Sequence, residues 1–215
     1  SNLIKLILKT CDQMKLLVTG ASGFIASEVI RVLKNSFDVI ALTRNKNKID
    51  KDTKFIVGDV SGKLPKLPKV DIILHFAGIT SIGSDDPFEY FRVNSLGTYN
   101  ILNKASEAKI KKIVFSSTAD VYGPNKLNVK EEEPLKLISA YIESKVIAEN
   151  ICRYFSHHLG FKIAILRYSG VYGVNRPKGF IYSLFQNAIK NMPIKVASSS
   201  ENQFDSIYIN DVVKN

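Results

Sequence analysis

The chain alternates short apolar runs with longer stretches in which apolar residues return every three or four positions. Runs of strand length stand at KLLVT (15–19), DVIALT (38–43), KFIVG (54–58), DIILHFA (71–77), KIVFSS (112–117) and KIAILRY (162–168). Helical periodicity occupies 24–34, 87–108 and 139–159. The strand runs are apolar throughout rather than alternating, as expected when helices cover both faces of a parallel sheet. The pattern predicts an α/β fold built on a doubly wound parallel sheet. After Tyr168 the rhythm changes. GFIYSLFQNAIKNMP predicts one more helix, with short strands near IKVA and SIYI. The expected organisation is an N-terminal extension over 1–13, a sheet domain over 14–170 and an incomplete, smaller domain over 171–215.

Composition narrows the class without naming a function. With 45% hydrophobic and 23% charged residues, the 215-residue chain reads as an ordinary globular protein. Cys11 and Cys152 lie far apart and without metal-type spacing, which suggests a reduced intracellular protein. No metal site is expected. The net charge of +10 favours an anionic partner, but the lysines are scattered rather than massed in a stripe, so no nucleic-acid partner is expected. No run approaches the roughly 20 apolar residues that span a bilayer. LIKLILKT is short and broken by Lys5 and Lys9, and Met14 reads as a natural start. A cytoplasmic protein without membrane contact is the expectation.

Chemistry enters with KLLVTGASGFIASEVIRVL, where a strand turns through Gly20 and Gly23 into a helix. Glycines there permit positive φ and close backbone approach, and the helix N-terminus offers donors to a pyrophosphate. Ala26 is small enough for helix and strand to pack tightly. A plain tight turn would use the same glycines. The second strand ends ALTRN, about 20 residues on, where an acidic residue would hold the 2′-hydroxyl of NAD. Thr43 and Arg44 stand there instead and suit a 2′-phosphate, so the expected cofactor is NAD(P) with a lean toward NADP. A surface arginine would look the same. Asp59 could accept from an adenine amino group or serve as a turn residue.

YIESK places Tyr141 and Lys145 four apart, on one helix face. A lysine beside the phenol would lower its pKa from about 10 and ready it to take a proton from a substrate hydroxyl. The fifth strand ends VFSSTADVYG, with Thr118 at the edge where doubly wound sheets build their sites. His75, by contrast, reads as a packed core histidine, and His157 and His158 as residues of a helix end.

In this order, VTGASGFIA, LHFAG, DPFEYFRVNSLGTYNIL, SSTADVYG, YIESK, LRYSGVYG and SIYINDV resemble the extended short-chain dehydrogenase/reductase superfamily. More narrowly, they resemble its NAD-dependent epimerase/dehydratase branch, over nearly all of 14–213. The resemblance implies a Rossmann sheet with a substrate domain, Thr118 as the catalytic Ser/Thr, Tyr141 as acid/base and Lys145 as its partner. It implies cofactor contacts from Gly20, Ser22, Gly23, Phe24 and Ile25 in the first loop, and from Thr43, Arg44, Asp59 and Val60 beyond strands two and three. Phe76, Ala77, Gly78, Asn94, Ser116, Tyr141, Lys145 and Tyr168 complete that set. Thr80, Thr118, Asp120, Gly170 and Arg176 are the implied substrate contacts.

The substrate so implied is a nucleotide sugar, epimerised through a keto intermediate. Alternatives are an NADPH-dependent keto-sugar reductase, a 4,6-dehydratase or a non-catalytic dinucleotide-binding module. Four positions depart from the family pattern. Ala119 and Asp120 replace the Asp–Glu pair of dehydratases, which disfavours elimination. Gly170 stands for a common Asn, and Phe204 for a common Arg, with Arg176 as a substitute cation. A homodimer through the helices at 87–108 and 139–159 is also implied.

Overall fold

Parallel pairing of six strands organises the chain, in the order β3-β2-β1-β4-β5-β6. The computed structural model describes residues 14–80, 84–124, 128–176, 178–194 and 205–214. The strands are β1 (Lys15–Thr19), β2 (Asp38–Thr43), β3 (Lys54–Val57), β4 (Ile72–His75), β5 (Lys112–Thr118) and β6 (Lys162–Tyr168). Helix α1 (Phe24–Leu33) follows β1. Between β4 and β5 come α2 (Pro87–Tyr90), a π-helical stretch (Phe91–Leu96) and α3 (Gly97–Glu107). Helix α4 (Ala140–Leu159) then leads into β6. The predicted doubly wound parallel sheet is thus present, and the strand order reverses direction between β1 and β4, where such folds open a crevice at the carboxyl edge.

The core forms where apolar strands meet apolar helix faces. Leu17, Ile73, Ile101, Leu102 and Phe115 are all below 2% exposed, and each such side chain contributes roughly 1.5–3 kcal/mol by leaving water. Covering of both faces fails at one edge: Phe55 and Val57 of β3 are exposed, because that strand has a neighbour on one side only.

The helix expected at 87–108 is interrupted. A π-helical stretch widens it at Phe91–Leu96, and such insertions tend to mark functional sites. Asp86 caps α2 through Phe88 N, and Ser139 caps α4 through Ile142 N.

Beyond β6 the chain builds β7 (Gly170–Tyr172), α5 (Phe180–Ile189), β8 (Ser206–Tyr208) and α6 (Ile209–Lys214). The predicted helix and the SIYI strand are present; the IKVA strand and Phe204 lie outside the described residues. Strand β7 was not expected, since three residues carry no readable period. It pairs in parallel with β8. Val171, Ile209 and Val212 pack there against Phe24 and Ile25 of α1, so this segment is anchored on the helix that follows the glycine loop.

Candidate active site

The carboxyl edge of β1, β4 and β5 gathers most of the candidate residues. Gly20 has φ +68, and a Cβ there would lie 2.7 Å from Ala77 Cα, so the turn and the exit of β4 touch backbone to backbone. Gly23 is the N-cap of α1, and no side chain caps that helix. Ser22 is exposed, while Phe24 and Ile25 are turned toward β7 and α6. Phe76 and Ala77 are half-buried and Gly78 is exposed. A Cβ on Gly78 would sit 2.9 Å from Asn94 Oδ1 and 3.9 Å from Lys145 Nζ.

Asn94, on the π-helical stretch, pins that loop in two directions. Its Oδ1 accepts from Ile79 N at 2.9 Å, and its Nδ2 donates to Ile79 O at 3.1 Å and to Ser144 Oγ at 3.0 Å. The loop after β4 is therefore tied to the helix carrying Tyr141 and Lys145.

The end of β2 departs from the expectation. Thr43 is buried, and its hydroxyl donates to Asn45 O and accepts from Asn45 N, both at 3.1 Å. The hydroxyl serves its own turn, leaving Arg44 as the exposed cation. Asp59 accepts from Ser61 N at 2.9 Å and from Ser61 Oγ at 2.8 Å. Burial pushes its carboxyl up, but the Ser61 bonds and the charges of Arg44 and Arg92 outweigh it and hold the carboxyl below its usual range. Val60 is buried beneath Gly97.

Strand β5 brings the candidate catalytic residues together. The Thr118 hydroxyl stands beside the Tyr141 phenol and acts on its ionisation, while Thr118 Oγ1 accepts from Asp120 N at 3.2 Å. Lys145 Nζ donates to Ser116 O at 2.5 Å and sits 4.6 Å above the Phe115 ring. Tyr90 meets Tyr141 edge-on with centroids 6.0 Å apart. Nothing in the spacing of Tyr90 marked it in advance.

The predicted lowering of the Tyr141 phenol does not hold in this geometry. Burial pushes it up to about 12; the neighbouring Thr118 hydroxyl and Arg176 oppose that rise, while Asp120 adds to it. Lys145 has turned its ammonium to the Ser116 carbonyl, and burial lowers it to about 8 despite the raising charges of Cys152 and Glu149. His75 is the packed core histidine expected, 1% exposed.

Substrate candidates are divided. Thr80 and Asp120 are exposed at the mouth. Gly170 and Arg176 line a cleft of about 400 Å³ together with Tyr172, Phe180, Phe185 and Tyr208. Thr118, Tyr141 and Lys145 are not part of its lining. Arg176 bridges the two places: its charge acts on Tyr141, and its guanidinium lies 5.7 Å from the Phe24 ring centroid. Tyr168 is largely buried, which pushes its phenol up to about 12. Among the described residues no three His, Cys, Asp or Glu side chains gather as a metal site, and no helix is long and apolar enough to cross a membrane.

The family model described as NAD dependent epimerase/dehydratase matches residues 16–215. The chain belongs to that family. A Methanocaldococcus jannaschii protein provisionally named UDP-glucose 4-epimerase is 34% identical over 216 residues, covering 93% of this chain and 71% of its own. A UDP-glucose 4-epimerase of Lactobacillus helveticus is 34% identical over 175 residues, 75% of this chain. The chain spans about half of that relative, 53%. Among solved structures, the Bacillus cereus UDP-glucuronic acid 4-epimerase in complex with UDP-glucuronic acid and NAD has a TM-score of 0.83. It is 25% identical, and the match covers 94% of this chain and 71% of that one. Within this family the chain is an enzyme of the short-chain dehydrogenase/reductase type.

Proposed function

We propose that the chain is the cofactor-binding and acid–base part of an NAD(P)-dependent nucleotide-sugar epimerase. The observation that carries this reading is the juxtaposition of Thr118 with Tyr141, and of Lys145 one turn further along the same helix, beside a glycine loop on a protein whose relatives include 4-epimerases. The residues present fit a dinucleotide. Gly20 lets the turn after β1 lie backbone to backbone on the exit of β4, the first turn of α1 has no side-chain cap, and Lys145 Nζ would lie 3.9 Å from a Cβ on Gly78. Residues 14–170 would hold the cofactor and 171–215 would begin the substrate side.

When bound, the nicotinamide is the hydride acceptor and donor for a sugar carbon. Tyr141 would take the proton from that carbon's hydroxyl and return it when the ketone is reduced on its other face. Thr118 would hold the reacting oxygen, and Arg176 would meet the diphosphate. Since burial keeps the Tyr141 phenol protonated, removing a proton requires nearby positive charge. Lys145 and Arg176 are the candidates to supply it.

The absence of an acidic residue at the end of β2 favours a second reading, an NADPH-dependent keto-sugar reductase, with exposed Arg44 toward the 2′-phosphate. A 4,6-dehydratase is disfavoured, although such an enzyme from Mus musculus is 30% identical over 222 residues, because Ala119 offers no acid. A homodimer would use Leu96 and Tyr99 with Ile147 and Tyr154, exposed apolar residues on the helices.

The test is conversion of UDP-galactose to UDP-glucose with each of NAD and NADP, while cofactor redox state is followed. Interconversion without net cofactor consumption is expected, and Tyr141→Phe should reduce it by about 10²–10⁴-fold while leaving the cofactor-induced thermal shift intact. Stoichiometric consumption of NADPH with a keto-sugar would replace the epimerase by the reductase, and full turnover in Tyr141→Phe would remove the catalytic assignment.

A further inference from the structure

We propose that Glu149 and Arg167 are positioning residues that set the register of α4 against the end of β5. The inference rests on the reading of Thr118, Tyr141 and Lys145 as the reacting groups. Tyr141, Lys145 and Glu149 follow one another at four-residue intervals and so share one face of α4. The last three residues of β5 each meet one residue of that face, although not in chain order. Ser116 O accepts from Lys145 Nζ at 2.5 Å, Ser117 Oγ donates to Glu149 Oε1 at 2.6 Å, and the Thr118 hydroxyl stands beside the Tyr141 phenol.

The Ser117–Glu149 contact is the anchor. Glu149 is fully buried, and Arg167, the β6 partner of Ser117 in the sheet register, grips both of its oxygens. Arg167 Nε lies 3.0 Å from Oε1 and Nη2 lies 2.7 Å from Oε2, while Arg153 Nη2 closes from outside at 2.8 Å. Arg167 Nη1 also reaches Tyr122 Oη and Glu131 O, which ties down the turn following Thr118. A slip between helix and strand would break all of these bonds at once.

A purely architectural ion pair could be exchanged for apolar packing without loss. Glu149 differs because its carboxylate stands one turn beyond Lys145 and its charge raises that amine's proton affinity. Around Lys145 the other titratable groups are His75 from β4 and Cys152 and Tyr141 from α4. Arg153 and Arg167 pair with the Glu149 carboxylate. Among these, Glu149 is the carboxylate that acts on Lys145.

The experiment follows the Lys145 ¹³Cε resonance against pH in the whole chain, with cofactor and substrate absent. It compares the wild type with Glu149→Gln, Arg167→Met and the double variant, and measures urea stability on the same samples. A chain that turns nothing over still answers, so failure of the epimerase reading is seen separately in the turnover assay. The Lys145 midpoint is expected to fall in Glu149→Gln by about half a pH unit or more. It should stay below wild type in the double variant even as stability recovers, because the uncompensated arginine charge is gone. A midpoint identical in wild type and Glu149→Gln overturns the proposal. So does a midpoint that returns to wild type together with stability in the double variant. In turnover, Glu149→Gln should lower kcat and move the alkaline limb of its pH profile with KM little changed.

Discussion

Two buried polar clusters flank the candidate site, and they solve the same problem with opposite chemistry. Under the cofactor side, the cluster is neutral. Ala77 N donates to Thr19 Oγ1 at 3.1 Å, and Thr19 Oγ1 lies 2.6 Å from His75 Nδ1. His75 Nε2 lies 3.2 Å from Thr98 Oγ1, which donates to Asn94 O at 2.6 Å. Because the Thr98 hydroxyl is spent as a donor, His75 must donate from Nε2 and accept at Nδ1, an uncharged ring with one tautomer. Under the acid–base side, the cluster is charged: Glu149 between Arg167 and Arg153. Burial pushes the Glu149 carboxyl up, but the hydrogen bonds of Arg167 and Ser117 and both arginine charges outweigh it and hold the carboxyl below its usual value. A neutral ring needs no counter-ion and so can join three elements without a compensating charge. A buried carboxylate needs its cations, and it brings with them a field that a neighbouring lysine feels.

That contrast can be broken most sharply at Glu149. Replacing it by alanine strands Arg167, only 14% exposed, without its anion, and should cost about 3–5 kcal/mol in urea unfolding. A loss below about 1 kcal/mol would mean the charged cluster contributes no more than a surface pair.

Acid sharpens the comparison next. Burial, with Lys145's charge adding to it, holds His75 neutral down to about pH 3 in the folded chain, whereas the unfolded ring takes its proton near 6.5. Between those limits the unfolded state binds more protons, so stability falls as pH drops, by up to about 1.4 kcal/mol per pH unit. His75→Gln should flatten that slope from pH 6.5 down to 4.5. Glu149 acts lower: its contribution is complete above the unfolded value of 4.5 and is lost as pH falls through the depressed folded value. Stability curves at stepped pH for wild type, His75→Gln and Glu149→Gln separate the two windows. Coincident windows would merge the clusters into one.

The smallest effect belongs to Arg153, whose side chain is 41% exposed. Water screens it, so Arg153→Met should cost under about 1 kcal/mol and leave the Lys145 titration near that of wild type.

Much of this was readable along the chain. Six apolar runs of the right length marked the sheet, and the four-residue step from Tyr141 to Lys145 marked the helix face that meets β5. Beyond Tyr90, the π-helical stretch and the raised Tyr141 phenol, three more features were not read. The inward turn of the Thr43 hydroxyl depends on the loop it closes, and β7 is too short to show a period. The Glu149–Arg167 pair left signals that could have found it: a charged residue inside the apolar run KIAILRY, and a carboxylate on the Tyr141–Lys145 face. Neither signal says which partner the other takes.

By itself, then, the sequence determined the elements, their parallel arrangement and the residue types at the crevice, because periodicity and glycine placement act through neighbours a few residues apart. The tertiary structure decided the protonation states and the pairings. Whether the Tyr141 phenol keeps its proton, which tautomer His75 holds and which arginine neutralises Glu149 all depend on burial and on strand register. Those are set by contacts between residues tens of positions apart in a low-dielectric interior, where one displaced partner changes which proton is held.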